Sequence, residues 1–136
     1  APLATGMVMS GDFSIETEPA RGLLRVRVWG FFTEADVIRY HAAIVAASET
    51  LPQAPAAQLM VNDISEMTSQ GQDIVAAFRQ VMSDSRYVER RVGFVAASSL
   101  ARAQLSRIIG SRTAQIFASE AEAERWLFTP PAARAA

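Results

Sequence analysis

Apolar residues along this chain change their spacing between two and about 3.6 several times over, and that alternation restricts the possible folds more than any motif does. Phe13, Ile15 and Thr17 alternate with Ser14, Glu16 and Glu18. Past a turn at 19–22, Leu24, Val26 and Val28 alternate with Arg25 and Arg27, so the two segments read as an antiparallel hairpin running to Trp29. On its polar face Glu16 and Glu18 can pair with the two arginines across the strands. Gly30 ends the second strand. Thr33 is placed to N-cap a helix over Glu34–Ser48, with Asp36 near its N-terminus and a stripe of Val37, His41, Ile44, Val45 and Ser48. A third strand is predicted over Leu59–Asp63, where Leu59, Val61 and Asp63 alternate with Met60 and Asn62, followed by a polar loop at Ser65–Ser69.

Helical spacing returns over Gln70–Ser85, with Ile74, Phe78, Val81 and Met82 on one face, and a short fourth strand follows at Val92–Ala97. Ser98 or Ser99 opens a third helix that turns Leu100, Leu105, Ile108 and Ile109 inward and closes at Gly110 as a C-cap. Thr113–Ala118 is a fifth strand. Ser119 with Glu122 forms a capping box for a last helix, which Ala123, Trp126 and Leu127 anchor and Pro130 stops. If the Trp126 ring is sealed in the core, Trp126→Ala should cost about 3–5 kcal/mol. The order is ββαβαβαβα, an α/β arrangement of five strands in one mixed sheet with four main helices. Strands joined through a helix run parallel. One domain is expected over 11–128, between a flexible N-terminal segment at 1–10 and a flexible tail at 129–136 that begins ahead of Pro130 and Pro131.

The 136 residues suffice for one core without covalent staples. Half are apolar and a fifth are charged, which is ordinary for a globular domain. No apolar run reaches the roughly 20 residues of a membrane-spanning helix, and the first ten residues lack the basic start and apolar stretch of a secretory signal, so a cytoplasmic protein is expected. There is no cysteine and one histidine, His41, which closes off thiolate chemistry and histidine-rich metal centres. All 13 basic residues are arginine, so lysine-dependent P-loop and Schiff-base mechanisms are closed as well. A net charge of −1 gives nucleic acid no electrostatic footing. No cofactor or metal is called for.

Three stretches carry a family resemblance: Leu59–Ser65 (LMVNDIS), Arg91–Leu105 (RVGFVAASSLARAQL) and Ile116–Leu127 (IFASEAEAERWL). Together with the hairpin exit at Gly22–Thr33 they resemble the STAS fold of bacterial anti-sigma-factor antagonists, and their wording is closer still to the SpoIIAA-like group. The likeness runs from Phe13 to Phe128 and consists of framework patterns without a catalytic signature. It implies a module that works by protein contact, switched by phosphorylation of a serine in an Asp-Ser-Ser-Gly motif after the third strand. The matching stretch here is Thr68, Ser69, Gln70, Gly71, of which Ser69 and Gly71 match. Ser69 is therefore the candidate regulatory phosphoacceptor, and its alternative role is to cap the following helix. SpoIIAA-like domains are also similar in architecture to lipid-exchange domains of the SEC14 type, which makes a carrier of a lipid or small apolar ligand the alternative function.

The residues themselves point to one region. Asp63, Ser65, Thr68, Ser69 and Gly71 gather polar groups between the carboxyl end of a strand and a helix N-terminus, where open α/β sheets collect ligands and anionic partners. His41, Asp63 and Ser65 or Ser69 supply the letters of a hydrolase triad without the sharp turn that presents a nucleophile, and His41 falls in a helix stripe as a half-buried structural residue. No catalytic residue is assigned. Arg86, Arg90 and Arg91, and Arg102, Arg107 and Arg112, are candidate anion contacts or ordinary surface pairs. Trp29, Phe31 and Phe32 flank Gly30 as a candidate hydrophobic contact for a ligand or partner. A sheet face left uncovered around Leu23 and Trp29 would favour a homodimer.

Overall fold

A computed structural model describes residues 10–68, 70–87, 89–109 and 114–129, apart from the side chains of 104 and 108. The expected flexible ends, the capping glycine Gly110, the strand start at Thr113 and the switch candidate Ser69 lie outside them, save for Ser10 and Thr129 at the margins. The elements are β1 (Asp12–Glu18), β2 (Leu23–Gly30), α1 (Glu34–Glu49), β3 (Leu59–Met67), α2 (Gln72–Met82), β4 (Arg91–Val95), α3 (Ser99–Ile109), β5 (Ala114–Phe117) and α4 (Glu120–Leu127). The hairpin closes through Gly22, whose φ of 63° lies in the left-handed region that favours glycine. β1 pairs antiparallel with β2, while β2–β3, β3–β4 and β4–β5 are parallel, in the spatial order β1-β2-β3-β4-β5. The ββαβαβαβα mixed sheet is as the periodicity predicts.

The sheet is covered on both faces. On one, Leu24, Val26 and Val28 of β2, Met60 and Ile64 of β3, and Val92 and Phe94 of β4 pack with α1, α2 and α3 through Tyr40, Ile44, Ile74, Phe78 and Leu105. On the other, Leu23, Val61 and Val95 pack with Ala123 and Leu127 of α4 alone. Leu23 is fully buried there, so of the uncovered patch expected around Leu23 and Trp29 only the half-buried Trp29 is left. An eight-residue helix buries little, and ion pairs extend its hold. Arg25 bridges Glu18 (2.6 Å) and Glu124 (2.8 Å), Arg21 reaches the same two carboxylates, and Arg27 pairs with Glu120 (3.0 Å). At the other end Arg91 donates to the carbonyls of Trp126 (2.9 Å) and Leu127 (3.0 Å), satisfying groups that the end of α4 leaves open.

Four expectations change. β3 runs on to Met67, so Asp63 and Ser65 stand on a strand rather than in a loop. On α1 Tyr40, which the expected stripe leaves out, is buried, because the helix turns its aromatic residue toward Phe13, Phe32 and Phe78, with ring centroids 5.5–6.3 Å away, while His41 beside it is half-buried. Leu100 is 57% exposed: α3 starts at Ser99, capped by Ser98, and directs its first turn outward. Trp126 is half-buried, lying against Phe117 with the Arg91 guanidinium over its ring at 4.3 Å, so Trp126→Ala should cost less than the loss of a sealed ring.

Close approach between β4 and α4 depends on Gly93, where an added Cβ would stand 3.0 Å from the Cβ of Ala123. Gly93→Val should therefore force α4 outward and lower stability by about 1–3 kcal/mol in urea unfolding. A change within a few tenths of a kcal/mol would show that α4 yields freely.

Candidate functional site

The site grows from the way β2 ends. Gly30 has a φ of 85°, outside the usual range of other residues, and the turn it allows sends Phe32 inward until its ring is fully buried 5.3 Å from that of Phe78. One buried amide fastens this turn to the β3–α2 junction. The Oε1 of Gln70 accepts from the Phe32 amide (3.0 Å), its Nε2 donates to the carbonyls of Gly30 (3.1 Å) and Thr68, and the Thr68 amide donates to Gly30 O (3.2 Å). Sequence reasoning overlooked Gln70. It is a polar residue among polar residues, and only the approach of Gly30 and Phe32 across 40 positions gives it work.

α2 begins directly after this clasp with Gly71, which has no side chain of its own to cap it, as N-cap and Asp73 in its first turn. Between α1 and α2 runs an open groove of about 590 Å³ lined by Glu34, Val37, Ile38 and His41 on one side and Ala77, Gln80, Val81 and Ser83 on the other. Ile38 is 71% exposed on its lip, the largest exposure among the big apolar side chains described.

At the far end of the groove Asp84 is gripped from several sides. His41 Nε2 lies 3.0 Å from its Oδ2, Arg86 donates from both Nε (3.1 Å) and Nη2 (2.7 Å), and the Arg86 amide adds a fourth contact (3.0 Å). The Arg86 guanidinium beside it, with the Arg86 amide and His41, holds the Asp84 carboxyl well below the ordinary carboxylate range. His41 is thus a half-buried structural residue that ties α1 to the segment after α2.

The expected cluster is not brought together as one loop. Asp63 accepts from the Ser65 amide (2.9 Å) and lies 3.8 Å from Arg27, on the α4 face of the sheet, whereas Thr68 and Gly71 frame the start of α2. The partner of His41 is Asp84 rather than Asp63, so the triad letters do not assemble. Of the aromatic trio, Phe32 is a core plug, Trp29 is half-buried and Phe31 is 40% exposed. The arginines are largely structural: Arg86 serves Asp84, Arg91 the end of α4, and Arg102 the carbonyl of Ala96 (3.0 Å). Arg112 lies outside the described residues.

Comparison with solved structures gives this geometry its class. An anti-sigma factor antagonist from Mycobacterium paratuberculosis superposes with a TM-score of 0.65 at 17% identity, over 88% of this chain and 95% of that one. An uncharacterised protein with a SpoIIAA-like fold from Shewanella loihica gives 0.62 at 15% identity, over 87% and 94%. The fold of this chain is STAS/SpoIIAA-like. No protein-family model and no curated protein matches the sequence.

Because folding lowers the pKa of Asp84 below its unfolded value near 3.8, its stabilising effect is complete above that pH and is lost as pH falls through the acid range. Asp84→Asn should cost about 1–2 kcal/mol at pH 7, allowing for the exposure of Arg86. In chemical denaturation that gap should narrow below about pH 4; a gap constant from neutral to acid pH would mean that the charge of Asp84 contributes nothing.

Proposed function

We propose that this chain is a non-enzymatic STAS-like regulatory module that docks a protein partner over the β3–α2 junction and the α1–α2 groove. The observation that carries this reading is the fold shared, along nearly the whole of both chains, with an anti-sigma factor antagonist. The groove supports the location: Ile38 leaves apolar surface in water that a partner would cover, and Glu34 and Asp73 make its α2 end acidic, which suits a partner carrying apolar and basic side chains. Ser69 is the phosphoacceptor in this proposal. Ser69 stands two positions before the Gly71 N-cap in sequence, and a phosphate on it would add up to about two negative charges to the surface offered to a basic partner. Asp63 and Ser65 stand on the α4 face, outside this surface, and Trp29 and Phe31 remain available for self-association. On this reading the chain works in the cytoplasm.

A carrier role for a long-chain lipid finds less support. The interior cavity beneath the three-helix face has a volume of about 40 Å³, room for about three water molecules.

The test is capture of partners from the host of origin by cross-linking, followed by titration of the partner recovered. Ile38→Asp should weaken binding at least about tenfold, or about 1.4 kcal/mol, and leave the Tm unchanged because the side chain is already exposed. Ser69→Asp, which adds negative charge to an acidic surface, should tighten the binding of a basic partner while Ser69→Ala does not. Repeated capture of this chain alone, or a partner whose affinity neither substitution alters, would overturn the docking surface.

A further inference from the structure

One edge of the sheet is formed by β1, which has a strand beside it on one side only. Paired with β2 alone, it turns the N–H and C=O of every other residue away from the sheet, and such a row is a template for a further strand. Proline, lysine, a bulge or shortness blunts edges of this kind, and β1 has none of them: it runs for 7 residues, Asp12–Glu18, in unbroken register with β2. Its side chains alternate. Phe13 and Ile15 pack against the core on the three-helix side and are half-buried, so part of their apolar surface stays in water. Ser14 and Glu16 are exposed on the opposite side, outside the cluster that packs under α4. Of the acids on the strand, Asp12 is held by Arg39 (3.2 Å) and Glu18 by Arg21 and Arg25. Glu16 has no ion pair among the described residues, because Arg25 opposite it turns to Glu18 (2.6 Å) and Glu124 (2.8 Å).

We propose that the outer side of β1 takes up an extended segment of a partner protein as an additional strand, with apolar and basic residues in alternation. The fold itself shows the kind of sequence that β1 pairs with. On its inner side β2 sets Val28 and Val26 opposite Phe13 and Ile15, and Arg27 and Arg25 opposite Ser14 and Glu16. A segment of the same alternation on the outer side would cover the bare halves of Phe13 and Ile15 with its apolar residues and bring a cationic group to Glu16. A second copy of this chain fits worse. Antiparallel self-pairing sets Glu18 opposite Asp12 when centred on Ile15, Glu16 opposite Asp12 when centred on Ser14, and Glu16 opposite its twin when centred on Glu16, so each of these registers faces acid with acid. The acidic side chains thus close the edge to its own kind and leave it open to a basic strand. The edge shares no residue with the α1–α2 groove, so strand addition here and partner docking there are independent.

The probe is a blocked peptide copying Leu23–Trp29 (LLRVRVW), added to the isotope-labelled full chain and followed through the backbone amide spectrum. It should bind in the millimolar range or tighter and shift the amides of Asp12–Glu18. A twin peptide with glutamate in place of both arginines should bind at least about fivefold more weakly. Glu16→Arg in the chain should narrow that difference at least about threefold, and Glu16→Gln should narrow it less, both at unchanged Tm because the side chain is exposed. Two further peptides carry N-methyl groups on alternate residues, one in each phase; only the phase whose methyl groups meet β1 should lose binding, as a backbone ladder requires. No shift of the β1 amides at millimolar peptide, equal binding of the arginine and glutamate peptides, the same effect from both methylated phases, or shifts confined to the α1–α2 groove would each overturn the proposal. Concentration-dependent self-association that shifts the β1 amides without peptide would overturn it in favour of a second copy.

Discussion

A parallel strand in the middle of a sheet has to be covered on both faces, and β3 imposes that requirement on the rest of the molecule. Met60, Asn62 and Ile64 face one way and Val61 the other, all buried. Every helix position follows from supplying those two covers. α1, α2 and α3 supply one with a thick layer built on Tyr40, Phe78 and Leu105, and α4 supplies the other with Ala123 and Leu127. The unequal covers explain how the surface charges are used. Where α4 is too short to reach β1 and the end of β2, Arg25, Arg21 and Arg27 span the gap to Glu18, Glu124 and Glu120. Such pairs are individually weak at a surface, and a network sharing Arg25 between two carboxylates is the form in which they contribute most.

The thick side of the molecule carries the proposed docking groove. Its aromatic contacts join β1, α1 and α2 through Phe13, Tyr40, Phe32 and Phe78, and the Gln70 clasp fixes where α2 starts relative to the end of β2. A rigid junction of this kind suits a docking module, because a partner meets a surface that is already organised. The same layer leaves the cavity at Asn62. Packing three helices against a twisted sheet without voids requires matched side-chain volumes, and here a small polar residue occupies a position where bulk would have closed the space.

Asp84 shows how an exposed-looking sequence element becomes structural. The segment Ser83–Arg86 reads as a polar connection, yet its carboxylate collects His41 from α1 and the Arg86 side chain and amide, and so joins the end of α2 to the middle of α1 across the groove. The walls of that groove are thereby held apart at a fixed width, with Ile38 exposed between them.

Much of the fold was legible in the sequence because period and capping are local properties. The hairpin, the four helices, the parallel crossovers and the caps at Thr33, Ser98 and Ser119 all follow from residues within a few positions of one another. The candidate site was legible only as a region. Its polar letters from Asp63 to Gly71 were visible, but the sequence alone does not show that β3 continues to Met67 and leaves Asp63 on the face of α4, since strand length is decided by the partner β2 that pairs along it. Nor does local pattern tell Tyr40 from His41 as the inward residue, Leu100 from Leu105, or an idle Gln70 from one that binds the distant Gly30 carbonyl and Phe32 amide. Those choices belong to the tertiary structure, because burial and buried hydrogen bonding depend on which segments meet, and the residues that meet here are as far apart as Gly30 and Gln70 or His41 and Asp84.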